Sequence, residues 1–440
     1  MRSSLLVASI GCLLVVAGNQ SGCPEEGPAK PGPGTAAAQS ASTQPAGTSN
    51  FIVGSPVRHK NLTIFPVLSK TAQNSDRFIT LDEGLRAHTV EIIEMGASRS
   101  VAGNAPVNPA ASGEDAVNQR TAAQSRPNAR IRNRQRNSET INQQRTFADR
   151  DSIQANEVNR LVVVNKSGKP LYLMPGEVIV GGDQDRTIGE ELTVAPTGKP
   201  VPIDVYCVEH GRWGNRGLAE TGVLLREISA AQTPAVARPL AAEAAKGKFV
   251  ATPGPLSKKA RKAVQFGEGQ QAVWDRVQMQ IDEADVKSDS GAFTANYSDK
   301  RVRDGIEPYL KGLSEQIAGQ DRVVGALVAV NGKVESVDIF ESTPLFRKLW
   351  PKLLKSYALD ALNAVAAKDA GKSCEVAAAS AFLAKVMQAP VSGTKQTKGG
   401  LVLTRRVTKE GVSYSASGSK AAGGMAGGMG GAIHSAGYAP

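Results

Sequence analysis

Between Leu171 and Trp213 the chain reads LYLMPGEVIVGGDQDRTIGEELTVAPTGKPVPIDVYCVEHGRW, and this stretch concentrates the side chains that could do chemistry. Glu177, Gln184 and Arg186 surround a Gly-Gly pair, while Cys207, Glu209, His210, Arg212 and Trp213 fall within seven residues. Residues that are costly to bury, set at the ends of short strands, are where a scaffold can aim them at a ligand. A guanidinium fork matches a carboxylate or a phosphate. Glu177, Gln184, Arg186, Glu209, Arg212 and Trp213 are therefore the candidate ligand-binding residues, and a small anionic molecule is the candidate ligand. The competing reading makes Glu177–Arg186 and Glu209–Arg212 internal ion pairs that close turns.

Several chemistries find no support. In a strand, Cys207 and Glu209 point one way and His210 and Arg212 the other, which separates the thiol from the imidazole and argues against a local Cys–His nucleophile pair. The histidines are His59, His88, His210 and His434, too scattered for a His-rich zinc site. Gly371-Lys372-Ser373 ends like a phosphate loop, but Ala366 stands where the earlier glycine is required. No G-x-S-x-G elbow or dinucleotide fingerprint follows a strand. No catalytic residue, metal or cofactor is assigned on this basis.

The formal charge of +11 is local. Residues 119–150 hold eight arginines against two acidic residues, and residues 391–440 hold six basic residues against one, which accounts for all of it. The first cluster lies in a segment, 104–156, rich in Asn, Gln, Arg, Ala and Ser, and reads as a disordered insert. It has no interleaved aromatic residues for base stacking, so a nucleic-acid partner is not expected. The second lies in a basic, Gly-rich tail, 391–440, expected to be largely disordered.

Arg2 followed by the apolar run Leu5–Ala17 has the form of a secretory signal, and the run is too short to span a bilayer. Gly22 and Ser21 precede Cys23 as small residues do before a lipidated cysteine, although Gln20 departs from that pattern. Residues 1–23 read as a signal, with Cys23 the candidate lipid attachment point. Residues 24–50, with five prolines and four glycines, read as a disordered tether. The expected location is periplasmic or extracellular, with membrane contact only through such an anchor. Cys207 and Cys374 are expected to be two separate buried thiols.

A single folded domain is expected over 51–390. Strands are predicted at 62–69, 89–95, 161–165, 171–176, 177–182, 191–196 and 201–209, with a short helix at 79–88; turn signals about every ten residues suggest an antiparallel sandwich or barrel. Helices are predicted at 272–281 and 301–317, Pro308 marking a start or a kink. Between VVGALVAV and KVESVDIF, Asn331-Gly332 signals a hairpin. Thr343 is placed as the cap of a helix with Pro344 in its first turn. That helix carries the apolar stripe Phe346, Leu349, Trp350, Leu353, Leu354, Tyr357, Ala358 and Leu362, read as core. The fold class is α+β: a β-rich first half and a helical second half containing a hairpin.

Several phrases occur together: NLTIFPVLS with FITLDEGL, VVVNKSGKPLYLMPGEVIVGGDQDR, PIDVYCVEHGRW, VWDRV, the VAVNGKVESVDIF hairpin and LFRKLWPKLLKSYALDAL. In this order they resemble the bacterial domain named for its association with ADP-ribosylglycohydrolases and the rhodanese–phosphatase superfamily. The resemblance covers most of 55–103 and 158–365. It implies no established reaction, only a nucleotide or ADP-ribose context by association. Two functions follow as expectations: an exported envelope-associated binding domain, or a hydrolase or transferase acting on a nucleotide-, ADP-ribose- or sugar-phosphate-like ligand. The start of the chain is directly testable. Intact-mass measurement of the protein purified from its host is expected to show cleavage before residue 30, and a retained Met1 or Arg2 would rule out export.

Overall fold

In the computed structural model the described residues are 50–94, 160–212, 218–228, 234–365, 372–397, 399–418 and 432–440. The expected signal with Cys23, the tether before Asn50, the insert at 104–156 and Trp213 lie outside them. No helix among the described residues is long and apolar enough to cross a membrane.

The first half closes a six-stranded barrel from Pro200–Cys207, Arg160–Asn165, Val90–Glu94, Lys248–Ala251, Val178–Gly181 and Arg186–Ile188, each paired with the next and the last with the first. Alternation decides its interior: Ile203 and Val205 point inward from one strand, and Leu161, Val163, Ile92, Ile179 and Phe249 pack in the same core. A small sheet of Leu192–Val194, Leu171–Leu173 and Ile79–Thr80 shares this core. Thr80 caps the helix Leu81–Arg86 in a capping box, its hydroxyl accepting from the Glu83 N–H and its own N–H donating to the Glu83 carboxylate.

The other assembly is a nine-stranded antiparallel sheet. Its order is Phe51–Val53, Leu62–Ser69, Val323–Val330, Lys333–Phe340, Ala432–Tyr438, Gly411–Gly418, Leu401–Thr408 and Val391–Gln396, with Val57–His59 beside Leu62–Ser69. Val323–Val330 is buried on both faces, which is why its sequence is a continuous apolar run. One face packs Leu327, Val337 and Ile339 against Phe382, Leu383 and Val386 of the helix Val376–Gln388. The other packs against the helix Thr343–Asn363, whose predicted stripe is buried except for a half-buried Leu362. Asn331 (φ 51°) and Gly332 (φ 76°) are both left-handed, as a two-residue type I′ hairpin turn requires.

Three expectations are corrected. The long helix is capped by Ser342, whose hydroxyl accepts from Leu345 N–H at 3.3 Å, and Thr343 is its first residue. Pro308 does not start a helix, because Asp299 caps the helix Lys300–Ala318 eight residues earlier by accepting from Val302 N–H. The expected disordered tail at 391–440 is corrected for its described residues, 391–397, 399–418 and 432–440: they supply four strands of the large sheet, with His434 and Tyr438 fully buried. Basic and glycine-rich composition hid the alternation in LVLTRRVT, where Leu401, Leu403 and Arg405 face inward. The cysteines Cys207 and Cys374 are both buried and form no disulfide.

Candidate functional site

The structure brings most of the predicted polar residues together, but as two neighbouring ion-pair clusters. Gly181 (φ 143°) and Gly182 (φ 57°) permit the turn after Val178–Gly181; a Cβ at the first would lie 2.2 Å from the Lys248 carbonyl and at the second 2.6 Å from the Glu94 carboxylate. This close approach lets Glu94 accept from Asp183 N–H at 3.0 and 3.1 Å and face Arg186 at 3.5 Å. Arg186, 2 % exposed, also donates to the Gln184 side chain at 3.1 Å. Burial pushes the Glu94 carboxyl up, partly offset by the Asp183 N–H and the guanidinium.

In the second cluster, Arg212 donates from Nε to Glu209 at 2.9 Å and from a terminal nitrogen to the Gly182 carbonyl at 2.9 Å, and faces Asp185 at 3.4 Å. Glu209 also accepts from Asp185 N–H and from Ser290, and Asp185 accepts from Thr294. Burial pushes the Cys207 thiol up, while His210 packs edge-on to Trp274. Glu177 belongs to neither cluster. It meets Lys352, which also reaches Asp82 at 3.0 Å. Burial opposes the Lys352 charge, but the two carboxylates hold its pKa above the ordinary value.

A third buried network was missed by reasoning from sequence. Arg261 forks onto Asp338 with bonds of 3.2 and 2.9 Å, and Tyr357 donates to the same carboxylate. His434 bridges Asp338 at 3.2 Å and Glu191 at 3.1 Å, its ring stacked 4.5 Å from Phe340, and Tyr172 donates to Glu191. Burial disfavours every charge here. The flanking carboxylates nevertheless raise the His434 pKa to about 9, and Arg261 and His434 hold the Asp338 carboxyl below the usual range. One signal was available: in KVESVDIF, Asp338 shares a face with Phe340, a charged residue on an apolar side.

Beside this network lies an open cleft of about 340 Å³ between the hairpin, the end of the helix Thr343–Asn363 and the start of the helix Lys258–Gln265. Its lining includes Ser336, Tyr357, Asp360 and Asn363 above Val328 and Val330. Ser336 Oγ and Asn363 Nδ2 are shielded from solvent and have no hydrogen-bond partner in the protein. Burial pushes the Asp360 carboxyl up, against the pull of the Lys258 N–H it accepts at 2.9 Å.

A family model described as the ARG and Rhodanese-Phosphatase-superfamily-associated Protein domain matches residues 50–111 and 143–436, and the chain belongs to that family. No curated protein and no solved structure matches the chain.

Two measurements probe these groups. Breaking a buried ion pair costs about 3–5 kcal/mol. Arg186→Leu and Arg212→Leu are therefore expected to lower the melting temperature sharply if the clusters are scaffold; unchanged melting with loss of a ligand response would make them binding residues. The raised His434 pKa stabilises the fold fully below the unfolded value near 6.5 and is lost as pH rises through about 9. Relative to His434→Gln, the wild type is expected to lose roughly 3 kcal/mol of its advantage across that window; parallel curves would show that His434 is not charged in the fold.

Proposed function

We propose that this chain is an exported, envelope-associated binding domain that holds a small polar ligand in the cleft beside Tyr357. The observation that carries the reading is the pair Ser336 Oγ and Asn363 Nδ2, two solvent-shielded polar atoms without protein partners on the wall of one cleft. Buried polar groups are almost always paired, and these two sit on residues that line the same cleft, which supports a ligand that supplies the missing partners. Val328 and Val330 give the same ligand an apolar floor. The export half of the proposal rests on the signal-like start of the chain.

Arg186 and Arg212 fit this role less well, because carboxylates within the protein already meet both. A catalytic reading, as a hydrolase or transferase on a nucleotide-, ADP-ribose- or sugar-phosphate-like ligand, is favoured by one group. Asp360 lines the cleft with a raised pKa, as a general acid would.

Removing an unsatisfied buried polar group should not destabilise, whereas removing a satisfied one costs about 1–3 kcal/mol. Ser336→Ala and Asn363→Leu are therefore expected to leave the melting temperature unchanged or raised. The same substitutions are expected to weaken binding of adenosine or ribose, read by ligand-observed NMR on the mature chain. Destabilisation by both substitutions, or no binding of either probe, would sink the proposal.

A further inference from the structure

The cleft presents a donor and an acceptor that both lack a partner. Asn363 Nδ2 is shielded from solvent without a hydrogen-bond partner in the protein, and an amide nitrogen can only donate. Asp360 stands three residues earlier on the helix Thr343–Asn363, a spacing that sets carboxylate and amide on one face. One oxygen, Asp360 Oδ2, accepts from the Lys258 N–H at 2.9 Å. The other, Oδ1, has no hydrogen-bond partner among the described residues, and the carboxylate forms no ion pair there. The remaining carboxylates of the cleft are occupied, since Glu335 meets Lys258 and Glu283 meets Lys259 at 3.2 Å.

This pairing selects among ligand chemistries. An ionised phosphate or carboxylate accepts from Asn363 but cannot donate to Asp360. An ammonium donates to Asp360 and leaves Asn363 Nδ2 unpaired. A hydroxyl does both through one oxygen, and a bond donated to a charged carboxylate is of the stronger kind. The edge of a nucleobase also carries donors and acceptors, but its faces gain most from aromatic stacking. Here the apolar floor is Val328 and Val330, aliphatic surface against which the C–H face of a sugar ring packs. Tyr357, the aromatic residue of the lining, has its hydroxyl committed to Asp338. At about 340 Å³ the cleft lies near the lower end of small-molecule sites, which span about 300–1,000 Å³.

We infer that the cleft recognises an uncharged sugar through two neighbouring hydroxyls, held between Asp360 Oδ1 and Asn363 Nδ2, with Ser336 Oγ meeting a further oxygen. The sugar can stand free or as part of a nucleoside. This inference rests on the binding reading of the cleft, and it adds the chemical class of the ligand.

A probe series separates the two claims. Isothermal titration of the purified protein with adenosine, 2′-deoxyadenosine, 3′-deoxyadenosine and adenine removes each hydroxyl of the diol in turn and then the whole sugar. Adenosine and methyl β-ribofuranoside are expected to bind. Loss of either hydroxyl is expected to weaken adenosine roughly tenfold or more, the scale of one hydrogen bond to a charged group. Asp360→Asn keeps the shape of the side chain and removes its charge, and it should close the gap between adenosine and its deoxy forms. Deoxy forms or adenine binding as tightly as adenosine would overturn this inference and leave the cleft reading intact. A gap that persists unchanged in a folded Asp360→Asn variant also overturns it, because the diol would then lie elsewhere. If that variant melts lower, the deoxy series on the unaltered protein decides alone. No binding by adenosine or ribose removes the cleft reading itself.

Discussion

Four charges buried together hold the two halves of this protein in register. Arg261 and His434 face Asp338 and Glu191 in a space where none of the four side chains reaches solvent. Withdrawing such groups from water costs several kcal/mol per ion, and the cost is offset only when each charge meets its partners with good geometry. The partners come from a barrel-side loop, a helix and two strands of the large sheet, so no segment can satisfy its own charge alone. A one-residue slip of Ala432–Tyr438 against Lys333–Phe340 would turn His434 to the opposite face and leave Asp338 and Glu191 underpaired. The network thus fixes strand register more sharply than an apolar contact could, and it makes the C-terminal strand part of the core.

Much of the fold was legible because it follows local rules. The hairpin at Asn331-Gly332 was readable from backbone preference, and the stripe from Phe346 to Leu362 from helical spacing. Alternation punctuated by turns left a sandwich and a barrel both open, because closure is a long-range property that no single strand reveals. The C-terminal strands were illegible for a specific reason. Their core contributions alternate with polar and small residues: Leu401, Leu403, Val412, Tyr414, Ala416, Ile433, Ala436 and Tyr438 are buried in the apolar core, and Arg405 and His434 are buried beside them. Composition treats such mixed stretches as surface, whereas packing decides otherwise.

The same distinction governs the site. Arg186, Glu209 and Arg212 drew attention because they are expensive to bury, and the structure resolves that expense by pairing them with Glu94 and Asp185 and with each other. Residue types that advertise chemistry are also those that must be neutralised if they serve as scaffold. The cleft has the opposite profile. Ser336 and Asn363 are chemically modest, and nothing in their local sequence marks them; their interest comes only from being enclosed without a partner. Such a property exists in three dimensions alone, since it depends on where the hairpin and the helix end meet.

Tyr357 ties the cleft to the network mechanically. It lines the cleft while its hydroxyl donates to Asp338, the carboxylate that also anchors Arg261 and His434. Ser336 lies on the same strand, two residues from Asp338 and on the same face. A ligand seated against Ser336 and Tyr357 would therefore rest on the most tightly determined part of the fold, with little freedom for the wall to yield. Preorganisation of this kind lowers the ordering cost of binding. The charges that lock the two halves together thereby also fix the floor of the cleft, through the Tyr357 hydroxyl on Asp338.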